Sequence, residues 1–424
     1  MLDIRLFRDD PDNLKRRLGN RDSALISEVD AIRARDVERR AAETQLQHLQ
    51  SERNRLSKEI GGIRQRGGDS TELESRVKSI GGEMSTLQTR AAELDATFRD
   101  ALLRLPNAPQ EGVPVGADAT SNPVLRTWGE KPDVPNPQDH LAIAGRLGLF
   151  DLERATKVSG SGFVCFTGAG ARLQRVLLNF LLDLHTTQHG YTEVSPPFLI
   201  RPECMVGTGQ LPKFAEDMYA VDGGELFLAP TAEVPVTNLH REEILLADDL
   251  PIRYAAYTPC FRREAGATGR DNRGIIRMHQ FDKVELVRVC LPEESAAQLE
   301  ELTADAERVL QTLGLHYRVV ELCTGDLGFS AAKTYDIEVW SPGQGTYLEV
   351  SSCSNFEDYQ ARRMNLRYKD AKGRNHLCHT LNGSGTALPR LYVAILEQGL
   401  QPDGHVRLPE ALRGPFGAEF LGEG

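Results

Sequence analysis

Five arginines, Arg262, Arg263, Arg270, Arg273 and Arg277, crowd into the stretch YTPCFRREAGATGRDNRGIIRMHQFDKVE, residues 257–285. A guanidinium presents a planar fork of donors that matches phosphate and carboxylate bidentately, and it stays charged at every physiological pH. Arginines fixed on strands could therefore draw two anions together and stabilise the extra charge when one attacks the other. Attack of a carboxylate on the α-phosphorus of a nucleotide is such a reaction. Tyr257 to Arg262 and Arg277 to Val289 have the β-branched, aromatic and alternating character of strands, and the interval between them is rich in Gly, Arg and Asp. The pattern predicts one antiparallel hairpin with a long loop, and loops of that length in compact domains are uncommon unless they touch a ligand. The plainer alternative is a solvated charge run neutralised by Glu264, Asp271, Asp282 and Glu285.

The surrounding motifs bear on that choice. Thr231-Ala232-Glu233 lies upstream; downstream come Tyr347-Leu348-Glu349-Val350-Ser351-Ser352-Cys353-Ser354-Asn355, then Asn382-Gly383-Ser384-Gly385, then Arg390 and the apolar run Leu391 to Leu396. Arg262-Arg263-Glu264 after an aromatic residue resembles motif 2 of the class II aminoacyl-tRNA synthetases, with Phe281 and Glu285 on its second strand. The run that ends in Arg390 resembles motif 3, and Leu173 to Leu184 followed by Gly190 to Pro197 resembles motif 1. Taken by itself, that last segment reads equally well as a core helix and a proline-terminated strand. In this order, with a coiled-coil N-terminus, the motifs make the chain similar to the seryl-tRNA synthetases of bacterial type from its first residues to about Gly414.

The resemblance implies ATP and Mg2+ as cofactors, conversion of L-serine to seryl-adenylate, and transfer of serine to tRNA(Ser) and tRNA(Sec). It also implies a homodimer with tRNA bound across subunits. It places Arg262 on the α-phosphate and the attacking carboxylate, Arg277 toward the outer phosphates, and Arg263 and Glu264 at the nucleotide. Phe281 and Arg390 would sandwich the adenine, and Glu349 and Ser352 would hold magnesium, with Val350 and Ser351 beside them in the ATP-binding run. Glu264, Arg277 and Arg390 join Arg262 as expected catalytic residues. Thr231, Ala232 and Glu233 would close over the amino acid, which Arg262, Glu285, Asn382 and Ser384 would contact. Alanine and glycine fit any serine pocket, so only hydrogen bonds to the hydroxyl can reject them. Two features depart from the family pattern: Pro389 precedes the motif 3 arginine, with Leu391-Tyr392 after it, and the C-terminal ARGPFGAEF follows the family's ending only loosely.

The elements that must position these residues are legible in part. Leu25 to Ile63 and Thr71 to Arg104 read as helices separated by a glycine-containing tip, Arg64 to Gly68. In the second, Leu73, Val77, Ile80, Met84, Leu87, Ala91, Leu94, Phe98 and Ala101 recur in steps of four and three, a heptad seam. A short tip between helices of similar length favours an antiparallel hairpin about 50 Å long, and a dimerisation coiled coil is the alternative. Arg53, Arg55, Lys58, Arg64 and Arg66 gather near the tip against only Glu52 and Glu59, a phosphate-binding pattern. In the family this arm grips the long variable arm of serine tRNA.

The expected organisation is a tRNA-binding domain over 1–104, a Pro-rich linker over 105–137, and a catalytic domain over 138–424. The segments Ile252 to Arg262, Gly274 to Val289, His316 to Leu322, Thr334 to Trp340 and Thr346 to Ser351 alternate like strands of one antiparallel sheet, and with no GxGxxG or Walker A sequence present they predict an α+β fold; the resemblance implies the antiparallel sheet of the class II synthetases. The 424 residues carry a net charge of −11, which by itself does not suggest a nucleic-acid partner, so RNA contact would rest on local patches. No apolar run of about 18 residues is present and MLDIRLFRDD lacks a signal-peptide core, which reads as cytoplasmic. Seven cysteines without a CxxC pair read as free thiols. Two other functions share these motifs: a ligase that charges a carrier protein, which would not need the arm, and a non-catalytic sensor, which would be expected to lose Arg262, Glu264, Glu349 or Arg390.

Overall fold

The computed structural model describes residues 1–264 and 274–422, and every count below refers to these; Arg270, Asp271 and Arg273 lie outside them. The chain divides into two compact units, Leu2–Leu105 and the stretch from Pro106 onward.

In the first unit the short helices Ile4–Asp9 and Pro11–Gly19 precede α1 (Leu25–Gln65) and α2 (Thr71–Arg104), which pack along each other. Leu49, Leu56, Ile80 and Met84 are buried between them, flanked by Leu46, Leu73, Val77 and Leu87. The seam steps from Leu49 to Leu56, one full heptad, so Arg53 stays in solvent. The helix pair thus closes its own seam. At the tip Gly68 N–H donates to Ile63 O and Gly67 N–H to Arg64 O, with Gly67 at φ +73°, the left-handed cap that ends a helix at low cost only with glycine. Gly61-Gly62 and Gly81-Gly82 leave both helices unbroken.

The second unit is built on an eight-stranded sheet. Its strands are β1 (Val124–Trp128), β2 (Thr192–Glu193), β3 (Ile252–Phe261), β4 (Gln280–Cys290), β5 (Tyr317–Glu321), β6 (Lys333–Ser341), β7 (Thr346–Glu357) and β8 (His379–Ala387). They lie in the order β1-β5-β6-β7-β8-β4-β3-β2. Every neighbouring pair is antiparallel except β2 with β3, where Thr192 and Glu193 pair in parallel with Tyr254 and Ala255. Helices α3 (Gly168–Gln188), α4 (Ser295–Thr312) and α5 (Leu388–Gln398) bury Leu173, Leu177, Leu302, Leu310, Leu391 and Ile395 against this sheet in one continuous core. This is the antiparallel α+β architecture expected from the sequence, and among the described residues no helix is long and apolar enough to cross a membrane. All seven cysteines are free thiols.

Two features were not legible. The stretch 105–137, read as a linker, contributes edge strand β1, whose Trp128 stacks on Tyr317 with centroids 5.8 Å apart. Asn107 in the same stretch donates from Nδ2 to Ser330 O and Phe356 O, both at 2.9 Å. Prolines flank β1 without entering it, and an edge strand has one side that needs no ladder partner. Strand β8 was hidden because its sequence, HTLNGSGTA, lacks β-branched or aromatic alternation. A Cβ on Gly383 would sit 2.8 Å from Cys353 Sγ and 3.2 Å from Leu302 Cγ, so close packing dictates its small residues.

Candidate active site

The hairpin of β3 and β4 sets the floor. Gln280 pairs with Phe261 and Glu285 with Ala256, and Arg262 N–H extends the ladder to His279 O at 2.9 Å. Because side chains alternate along a strand, Phe281, Lys283 and Glu285 share one face of β4. Asp282 faces the other way and accepts from Tyr257 Oη at 2.8 Å and from Gln174 Nε2. On the other side of β4, Glu285 pairs with Ser384 and Val284 with Thr386, which leaves Gly385 as the extra residue of a β-bulge. Only glycine fits there, since a Cβ would lie 2.8 Å from His185 Nε2. The bulge aims Ser384 into the site, and its carbonyl is held by Ser351 Oγ at 2.6 Å.

Two compartments meet here. The larger, about 340 Å³, is lined by Thr231, Glu233, Glu285, Asn382, Ser384 and Ser352, among others. The smaller, about 90 Å³, is lined by Glu264, Arg277, Met278, Phe281, Pro389 and Arg390. Arg262, Lys283, Glu349 and Ser384 border both. In the larger, Glu285 accepts from Asn382 Nδ2 at 2.9 Å, from Thr231 Oγ1 at 3.2 Å and from Lys283 Nζ at 2.5 Å, an almost fully buried carboxylate satisfied on both oxygens. Glu233 is also buried; loss of hydration, reinforced by the charge of Glu285, pushes its carboxyl up to about 7, while a hydrogen bond from Gln360 works in the opposite direction. In the smaller, the Arg262 guanidinium lies 5.2 Å from the Phe281 centroid and donates from Nε to Pro230 O at 3.3 Å. Arg390 donates to Glu349 O at 2.7 Å and pairs with its carboxylate at 3.2 Å, and Arg277 pairs with Glu264 at 3.3 Å. Three guanidiniums lining one end and hydrogen-bonding carboxylates and hydroxyls at the other suit a polyanion beside a small polar cation.

Sequence comparison agrees with this geometry. Residues 1–109 match the seryl-tRNA synthetase N-terminal domain, and residues 219–399 match the tRNA synthetase class II core domain (G, H, P, S and T). A serine–tRNA ligase of Akkermansia muciniphila is 59% identical over 421 residues, covering 99% of each chain. The chain belongs to the seryl-tRNA synthetase family. It is an ATP-dependent class II serine–tRNA ligase. Among solved structures, seryl-tRNA synthetase from Pyrococcus horikoshii complexed with ATP superposes with a TM-score of 0.93 at 38% identity, covering 99% of both chains. The cytoplasmic serine–tRNA ligase of Naegleria fowleri in complex with AMP gives 0.88 at 30%, covering 99% of this chain and 98% of that one.

Most residues expected from the synthetase motifs come together in these compartments. Four do not line them: Arg263 is exposed, with its N–H on Asp217 O, while Ala232, Val350 and Ser351 are buried in the surrounding packing. Lys283 was missed, although its place two residues before Glu285 puts it on the same face. Gln210, Phe214 and Phe329, which also line the larger compartment, carried no signal, because loops bring them in from distant sequence. The departures at motif 3 are accommodated except at the Tyr392 hydroxyl, which is buried with no hydrogen-bond partner among the described residues. Pro389 occupies the first turn of α5, where its missing N–H costs nothing, and Leu391 and Tyr392 turn into the core.

Proposed function

We propose that the larger compartment holds L-serine and the smaller one ATP, and that Arg262 acts where they adjoin. The observation that carries this reading is the shared wall: one guanidinium borders both compartments, so it can hold the serine carboxylate against the α-phosphate and stabilise the charge of the transition state. Glu285, with Asn382, Thr231 and Glu233, receives the ammonium and side chain of serine, and Ser384 adds a hydrogen bond. Phe281 and Arg390 enclose the adenine, Glu264 and its neighbouring backbone recognise its edge, and Arg277 meets the outer phosphates. Glu349, which borders both compartments, lies along the nucleotide, with Val350 and Ser351 packed behind it.

Glu349 and Ser352 fit a Mg2+ ion as two oxygen ligands. Both are oxygen donors on the compartment walls, Glu349 bordering both compartments and Ser352 the larger, and a hard cation takes few protein oxygens when phosphate and water complete its shell. Bound there, the ion would neutralise phosphate charge. Residues 1–104 bind tRNA through Arg53, Arg55, Lys58, Arg64 and Arg66, residues 105–137 connect, and residues 138–424 catalyse. Arg64 is paired with Glu74 and Arg55 with Glu59, while Arg53, Lys58 and Arg66 have no carboxylate within ion-pair distance among the described residues. The acceptors are tRNA(Ser) and tRNA(Sec), bound across a homodimer through α3 and β2 in the cytoplasm.

The test is Thr231→Val, at a residue that lines the larger compartment and not the smaller. Removing one hydroxyl that touches the amino acid raises KM for serine about tenfold to a hundredfold and leaves KM for ATP within about twofold. Equal changes in both would contradict the separation into two compartments.

The Glu233 carboxyl makes a second prediction. Its folded pKa of about 7 stands above the ordinary 4.5, so it is protonated below neutrality and ionised above. If its carboxylate faces the serine ammonium, KM for serine rises as pH falls below about 7, by up to about tenfold per unit, and Glu233→Gln flattens that profile. The same shift makes its contribution to folding stability fully present below pH 4.5 and lost as pH rises through 7.

A further inference from the structure

Gln360 touches neither compartment, yet it holds the residue that does. It sits on the short helix Tyr359–Met364, is fully buried, and donates from Nε2 to Glu233 Oε1 at 2.6 Å and to Thr208 O at 3.3 Å. Its Oε1 accepts from Thr380 Oγ1 on β8 at 2.7 Å. Chemistry fixes the amide's orientation: a carboxylate and a carbonyl on one side demand the NH2 group, and the hydroxyl on the other supplies the donor. Thr208 O is itself held by Ser330 Oγ at 3.0 Å, so three separate segments converge on this one amide.

We infer that Gln360 is a positioning residue for amino-acid selection, one that commits Glu233 Oε1 to the protein and leaves Oε2 for the substrate. This rests on the assignment of Glu233 to serine. The charged groups bearing on Glu233 are Glu285 and Lys283 from β4 and Arg262 from the end of β3. Among these, Glu285 repels the carboxylate and the two cations attract it. Gln360 adds a buried neutral donor, and the free energy of such a bond to a carboxylate is felt in full because no water can replace it.

The test is the pH profile of serine-dependent pyrophosphate exchange in Gln360→Met, which keeps the side-chain length and removes the amide. The pH at which KM for serine turns upward moves higher by about one unit, and KM at pH 7 rises on the order of tenfold, while KM for ATP and kcat stay within about twofold. Thr380→Val, which frees the amide, shifts the profile in the same direction by less, and Thr380→Ser restores the parental curve. Should Gln360→Met not fold, the Thr380 pair carries the test. A parental profile in folded Gln360→Met, or identical profiles in Thr380→Val and Thr380→Ser where Gln360→Met does not fold, overturns the inference. Glu233→Gln separates the two levels. If it leaves KM for serine and its pH dependence parental, the assignment of Glu233 to serine fails; if it flattens the profile while Gln360→Met does not move it, the positioning role alone fails.

Discussion

Arg262→Ala lowers serine-dependent pyrophosphate exchange by about a thousandfold, measured as kcat/KM at matched protein concentration. One preorganised donor aimed at developing charge is worth two to three orders of magnitude, and this guanidinium is placed to serve both reacting anions. Its loss should leave the fold intact, because the side chain is only half-buried and, among the described residues, its hydrogen bond to the protein is the one to Pro230 O at 3.3 Å. Arg262→Lys recovers only a small part of the activity, since an ammonium keeps the charge but not the bidentate fork. Near-parental exchange in either variant would move the anion-bridging role elsewhere, with Lys283, which borders both compartments, the first candidate.

Removing the outer part of the helical hairpin, residues 44–92, and closing it with a short glycine-rich turn should spare pyrophosphate exchange and nearly abolish charging of tRNA. The cut is chosen from the pairing of α1 with α2. Arg39 lies over the Phe98 ring at 5.1 Å and pairs with Asp95 at 3.7 Å, so residues 43 and 93 stand at matching heights and the inner packing of Val29, Ile32, Phe98 and Leu102 is retained. The segment removed contains all five basic side chains of the tip, and no residue lining either compartment belongs to it. A phosphate-directed contact of several basic groups loses affinity by orders of magnitude when removed, so the charging defect appears as a raised KM for tRNA. Loss of both activities in a folded deletion variant would contradict this division of labour.

How much the sequence disclosed depended on which physical signal each element carries. The hairpin arm was legible because heptad periodicity and a glycine tip are local: the helices predicted at Leu25 to Ile63 and Thr71 to Arg104 are observed at Leu25–Gln65 and Thr71–Arg104. Strands β3 to β7 were legible from alternation, with ends displaced by a few residues, and β7 runs on to Glu357, beyond the predicted Ser351. Central strand β8 was not, because Gly383 and Gly385 answer to Cys353, Leu302 and His185, contacts that no local pattern records. The arginines and carboxylates of the site stood out by type and motif. Lys283 and Gln360 did not: a single lysine on a strand belongs to no motif of its own, and Gln360 works through hydrogen bonds to Thr208 and Thr380, which lie elsewhere in the sequence.

That this site joins serine to adenylate for transfer to tRNA is decided by ATP–pyrophosphate exchange with each of the standard amino acids in turn, followed by charging of total tRNA with whichever supports it. Exchange with serine, with alanine, glycine and threonine far weaker, together with charging of serine tRNA, is the predicted result. Exchange without charging would indicate a different acceptor, and serine binding without exchange by the folded protein would contradict the catalytic reading of Arg262 altogether.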